Sequence, residues 1–167
     1  NYPFTMLCAG GIAYKFVIAL LRVFEIQDEP LEKEFLCFGA IATVCDIVDL
    51  LDENRILVRY GLAEIPKTTN VGLRAIMEET GISDKSISEY HLGFMIGPCI
   101  NATGRLASGR KAVELFCEKD EVKAREIAKT LIKLNEERKS LTVEAAERAM
   151  GRIEKENLLT ENVLVLY

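Results

Sequence analysis

Phe16, Leu20, Val23 and Phe24 fall at i, i+4, i+7 and i+8, one face of a helix predicted over Cys8–Phe24. Gly10 and Gly11, near its start, leave room for close backbone approach. Pro30 is expected to break the chain. The next segment, Leu31–Cys45, is apolar nearly all round after Glu34, as in a helix buried on most sides. It delivers an acidic stretch: Asp46, Asp49, Asp52 and Glu53. Asp52 or Asn54 is placed to cap a third helix, Arg55–Ile65, which Pro66 stops. Asn70 caps a fourth, Val71–Thr80, with Gly81 at its end. The Ser86–Glu89 spacing suits a capping box opening a fifth helix that Pro98 limits. Gly97–Gly109, rich in glycine and small polar residues, reads as a loop. Ser108 then caps a short helix ending at Cys117. From Asp120 a long helix runs to about Lys155, striped by Ile127, Leu131, Leu134, Leu141, Ala145 and Ala149. Thr160–Asn162 reads as a turn and Val163–Tyr167 as the start of a strand.

Composition adds bounds. The 167 residues are 49% hydrophobic and 28% charged, enough for the core of one domain or one lobe. The net charge is -5, so any contact with nucleic acid must come from a local patch. Five cysteines, an odd number without Cys-x-x-Cys spacing, suit a reducing cytoplasm. Lys15 and Arg22 interrupt the apolar stretch Leu7–Phe24, so no membrane span is expected. An opening without Met and a closing run Val163–Tyr167 lead us to expect a piece of a longer protein.

Four features are candidates for chemistry. Asp46 follows the uncharged run Ala40–Cys45. A carboxylate closing a buried helix is costly unless it is paired, hydrogen-bonded or bound to a cation, and a helix C-terminus disfavours an anion. A divalent cation would answer that need; so would pairing with Arg55 or capping the next turn. In Gly97–Leu106, Asn101 offers a donor and an acceptor and Arg105 a guanidinium fork suited to phosphate. No acidic residue lies between Pro98 and Val113, whereas Arg105, Arg110 and Lys111 are basic. The plain alternative is a helix-breaking loop with exposed arginines. Asn135 and Arg138 fall near the long helix's stripe, which suits packing. His91, the single histidine, has no partner for a metal pair. No phosphate-loop, nucleophile-elbow or zinc-protease motif occurs.

Three stretches, in order, resemble the RecJ family of the DHH phosphoesterase superfamily: Tyr2-Pro3-Phe4 with Ala9–Lys15; Gly39–Val48 with Glu53-Asn54-Arg55; and Gly97–Leu106 with Asn135 and Arg138. The resemblance covers nearly the whole chain. It implies a mostly α fold: the helical part of an α/β phosphoesterase domain (1–118), a long connecting helix (119–158) and the start of a second, substrate-binding domain (159–167). It implies a 5′→3′ exonuclease acting on single-stranded DNA in repair and recombination, using two Mn²⁺ or Mg²⁺ ions. Asp46 matches a metal ligand; Asn101 and Arg105 match a loop facing DNA phosphates. No complete catalytic set is present, so these residues alone are expected to be inactive. The chain departs from the family at Cys99, often Arg, and at Asp49, often Pro. A phosphodiesterase for short oligonucleotides or cyclic dinucleotides, or a non-catalytic helical scaffold binding DNA or a protein, are the alternative readings.

Overall fold

A computed structural model describes residues 2–106, 108–156 and 163–165. Helices α1 (Ala9–Val23), α2 (Glu29–Cys45) and α3 (Asp52–Glu64) form one group; α4 (Val71–Glu79), α6 (Gly97–Leu106), α7 (Arg110–Cys117) and α8 (Glu121–Lys155) form a second. The short α5 (Glu89–His91) leads through a π-turn, Leu92–Ile96, directly into α6. No strand occurs among the described residues. The expected turn at 160–162 lies outside them. Of the expected strand, 163–165 are described without regular structure and the rest lies outside.

Caps set most boundaries. Asp28 accepts the Leu31 amide at 3.0 Å, so Pro30 begins α2 instead of breaking the chain; proline fits the first turn, whose amides lack helical partners. Asn70 caps α4 through the Leu73 amide, and its Nδ2 also reaches Glu34 Oε1 and the Phe116 carbonyl, tying α4 to α2 and α7. Gly81, at φ 69, supplies the left-handed residue ending that segment. Asp120 accepts the Val122 and Lys123 amides and opens α8. Neither Asp52 nor Asn54 caps α3: Leu51 stands at the N-cap without a side-chain bond, and Asn54 is turned inward.

The core lies where α4, the π-turn, α7 and α8 meet. Leu73, Ile76, Ile82, Leu92, Ile96, Leu115 and Leu131 are fully buried there, each worth about 1.5–3 kcal/mol. Phe38 of α2 meets Phe116 edge-on at 5.0 Å, joining the two groups. The predicted α1 stripe behaves differently. Phe16, Leu20, Val23 and Phe24 are exposed, and Gly11 and Leu21 face the core. On α8, Leu131 is buried and Ile127 and Leu134 are half-buried, whereas Leu141 and Ala145 lie on a half that projects from the body. No helix among the described residues is long and apolar enough to cross a membrane.

Candidate nucleic-acid and metal site

α2 is held by close packing up to its C-terminal end. A Cβ on Gly10 would strike Ala42, so α1 lies directly against the last turns of α2. Thr43 donates to the Gly39 carbonyl at 2.7 Å and faces Cys8. Asp46 is the C-cap, its amide donating to the Ala42 carbonyl at 2.9 Å. Its side chain is exposed and makes no hydrogen bond or ion pair among the described residues. This corrects the burial expectation: α2 stays packed through its last turn, and the chain reaches solvent at Asp46 itself. Neither Arg55 nor a following turn takes the carboxylate, so both oxygens are available to a ligand.

The acidic loop after Asp46 is held in an uncommon shape. Ile47 and Asp52 have φ of 55° and 43°, and a left-handed β-branched residue costs on the order of 1–3 kcal/mol. Asn54 provides the restraint. Its Nδ2 donates to the carbonyls of Met6, at 2.9 Å, and Asp49, at 3.0 Å, while its buried Oδ1 has no partner. A buried amide stapling two loops was not foreseen; only the tertiary approach of residues 6 and 49 reveals it.

Gly97–Leu106 is a helix, not the expected loop. Pro98 lacks an amide proton, and its ring would collide with a carbonyl four residues back in a continuous α-helix. The π-turn at Leu92–Ile96 widens the backbone there, so Pro98 lies in the first turn of α6 and the helical run from Glu89 continues. A Cβ on Gly97 would meet the Cys45 sulfur, and Cys45 donates to the Leu92 carbonyl at 3.7 Å. The start of α6 therefore abuts the end of α2. Burial pushes the Cys45 thiol up to about 11, with the adjacent Asp46 charge acting the same way.

Positions 97, 101 and 105 form one row of α6, since residues four apart stack on a helix surface. Gly97 anchors the row against Cys45 of α2. Asn101 and Arg105 continue it, both exposed and without partners among the described residues. Arg110 pairs with Glu114 at 3.4 Å. Cys99 points the other way: it is buried and donates to the Met95 carbonyl at 3.2 Å. Asn135, buried on α8, accepts from Arg138 Nε and Nη2, so the Asn135–Arg138 pair packs α8 as expected. His91 has a role that sequence reading missed: its Nδ1 meets the Ser88 amide and hydroxyl, completing the capping box of α5 in place of Ser86 and Glu89. Among the described residues, no three His, Cys, Asp or Glu side chains gather as a metal-binding set. Asp46 thus fits one ligand, not a whole centre.

No protein-family model matches the chain. It is 33% identical over 158 residues to the single-stranded-DNA-specific exonuclease RecJ of Bacillus subtilis, a match covering 95% of this chain and 19% of that protein. The Mg²⁺ complex of RecJ from Thermus thermophilus superposes with a TM-score of 0.71 at 32% identity, over 84% of this chain and 21% of that one. The Mn²⁺ complex from the same organism gives 0.72 at 30% identity, over 90% and 21%. The chain therefore spans about a fifth of the length of these relatives.

Proposed function

Because the chain is a RecJ-like segment over nearly its whole length, we propose that it supplies part of the active site of a 5′→3′ exonuclease acting on single-stranded DNA in repair and recombination. The observation that supports this reading is the contact of Gly97 with Cys45, which brings the start of α6, the helix carrying Asn101 and Arg105, against the end of α2, where Asp46 is the cap. Asp46 would hold one of two divalent ions, Mn²⁺ or Mg²⁺, which would activate water and stabilise the leaving oxygen. This chain's own contribution is to orient the strand. Arg105 holds a backbone phosphate, Asn101 hydrogen-bonds to the same backbone, and the bent loop at 47–52 keeps Asp46 aimed outward. Residues 1–118 serve the catalytic domain, 119–158 connect, and 159–167 begin the next domain. The first half of α8 packs into the body and the second half leaves it, which supports a connecting role. Five free cysteines suit a reducing, cytoplasmic setting. Cys99 faces inward, so the exchange at that position removes nothing from the exposed row and gives no support to a non-catalytic scaffold.

The test is Arg105→Ala in a protein carrying this segment together with the family's Asp-His-His segment. Affinity for single strands is expected to fall, and the dependence of log affinity on log salt to become shallower by roughly 0.7, one phosphate contact. Unchanged affinity and slope would remove Arg105 from the interface.

A further inference from the structure

Beside the acidic loop, α1, α2 and α3 border an open cleft of about 440 Å³ whose walls include Tyr2, Tyr14, Lys15, Glu53, Ile56 and Tyr60. Three phenol rings line one opening. Tyr2 and Tyr60 are 50% and 59% exposed, so ring faces are available to a ligand. Lys15 is bound to Glu53 at 2.7 Å and lies 5.8 Å from the centroid of the Tyr2 ring, and Tyr2 donates to the same carboxylate at 2.7 Å. The pocket therefore has no unpaired charge to attract a phosphate. It offers flat aromatic surface, aliphatic walls and one hydrogen-bonding edge, a combination suited to a neutral planar heterocycle. Its place bears on the ligand. Glu53 is in the first turn of α3, directly after the loop that begins at Asp46, and Asn54 ties that loop to the Tyr2–Met6 segment.

We propose that this cleft is a stacking site for a nucleobase of single-stranded nucleic acid. The proposal rests on the single-strand reading above and goes beyond it by assigning a base-binding pocket. Stacking tolerates any base, because every base has a π-face, so the site grips a strand without reading its sequence. Ile56 and Tyr60, one turn apart on α3, form the wall on which the ring lies.

The experiment measures equilibrium binding, without divalent ions, of two labelled probes to the protein carrying this segment together with the Asp-His-His segment: a short oligothymidylate, and an abasic deoxyribose-phosphate oligomer of equal length. Tyr60→Leu keeps apolar volume and removes the ring. It is expected to weaken oligothymidylate binding roughly tenfold and to leave abasic binding unchanged. Tyr60→Phe, which keeps the ring, is expected to retain wild-type binding. Arg105→Ala is expected to weaken both probes. If Tyr60→Leu leaves oligothymidylate binding intact while Arg105→Ala weakens both probes, the pocket is refuted and the phosphate row stands. Equal weakening of both probes by Tyr60→Leu also refutes a base site. If neither probe binds wild type, both assignments fall.

Discussion

Glu53 receives Lys15 Nζ and the Tyr2 hydroxyl, each at 2.7 Å, and these bonds hold its carboxyl below the usual range. For Lys15, desolvation works against the charged form, but the bonds to Glu53 and Tyr2 outweigh it and raise its pKa. The linkage sign follows for Glu53. A depressed folded-state pKa gives stability that is complete above the unfolded carboxylate value and lost as pH falls through the lowered one. Glu53→Gln is therefore expected to lower the thermal midpoint at neutral pH by no more than about 1 kcal/mol equivalent, because the pair is partly exposed. The gap between wild type and variant should narrow as pH drops below the carboxylate range. Thermal melts at several pH values check this, and a gap independent of pH would contradict it.

The element that decides the site is α6, and Gly97 decides where α6 sits. Gly97→Ala would drive a methyl group into the Cys45 sulfur, with the Leu92 carbonyl 2.8 Å away on another side. Such overpacking costs roughly 1–3 kcal/mol. The variant is expected to melt earlier and to lose single-strand affinity in parallel, because α6, with Asn101 and Arg105, is pushed away from the end of α2. Melting and binding assays on one preparation check both, and lost stability with unchanged affinity would separate α6 from the site. α6 was hidden in the sequence for a physical reason. Gly97, Pro98, Asn101 and Gly104 all read as loop formers, and the forces holding the helix are tertiary: burial of Cys99, Ala102 and Thr103 and a π-turn that accommodates Pro98. Elements fixed by local chemistry were legible, as Asn70, Gly81, Asp120 and the end of α8 at Lys155 demonstrate. The α1 periodicity announced a helix correctly, but periodicity does not say what covers the apolar face. Asp46 was legible as a lone carboxylate after an uncharged run; its exposure was not.

At the scale of the molecule, one surface stands out: Ile12, Phe16, Leu20 and Val23 of α1 line an exposed apolar face that nothing among the described residues covers. Exposed contiguous apolar surface promotes association. The isolated 167-residue chain is expected to self-associate, and Phe16→Lys to shift it towards monomer with stability changed by no more than about 0.5 kcal/mol. Sedimentation at several concentrations reads this, and a monomeric wild type would contradict it. The proposed function rests on the exposed, unpartnered carboxylate of Asp46 at the end of α2, which the start of α6 abuts. The most direct measurement of that claim compares cleavage rate at saturating Mn²⁺ and metal-free thermal midpoint for Asp46→Ala, in the protein carrying this segment with the Asp-His-His segment. Removing a metal ligand is expected to slow cleavage by a factor of roughly a thousand or more, several kcal/mol in the barrier, with the metal-free midpoint nearly unchanged because the side chain is exposed and makes no bond among the described residues. A folded Asp46→Ala protein that cleaves single strands at close to the wild-type rate would contradict the account.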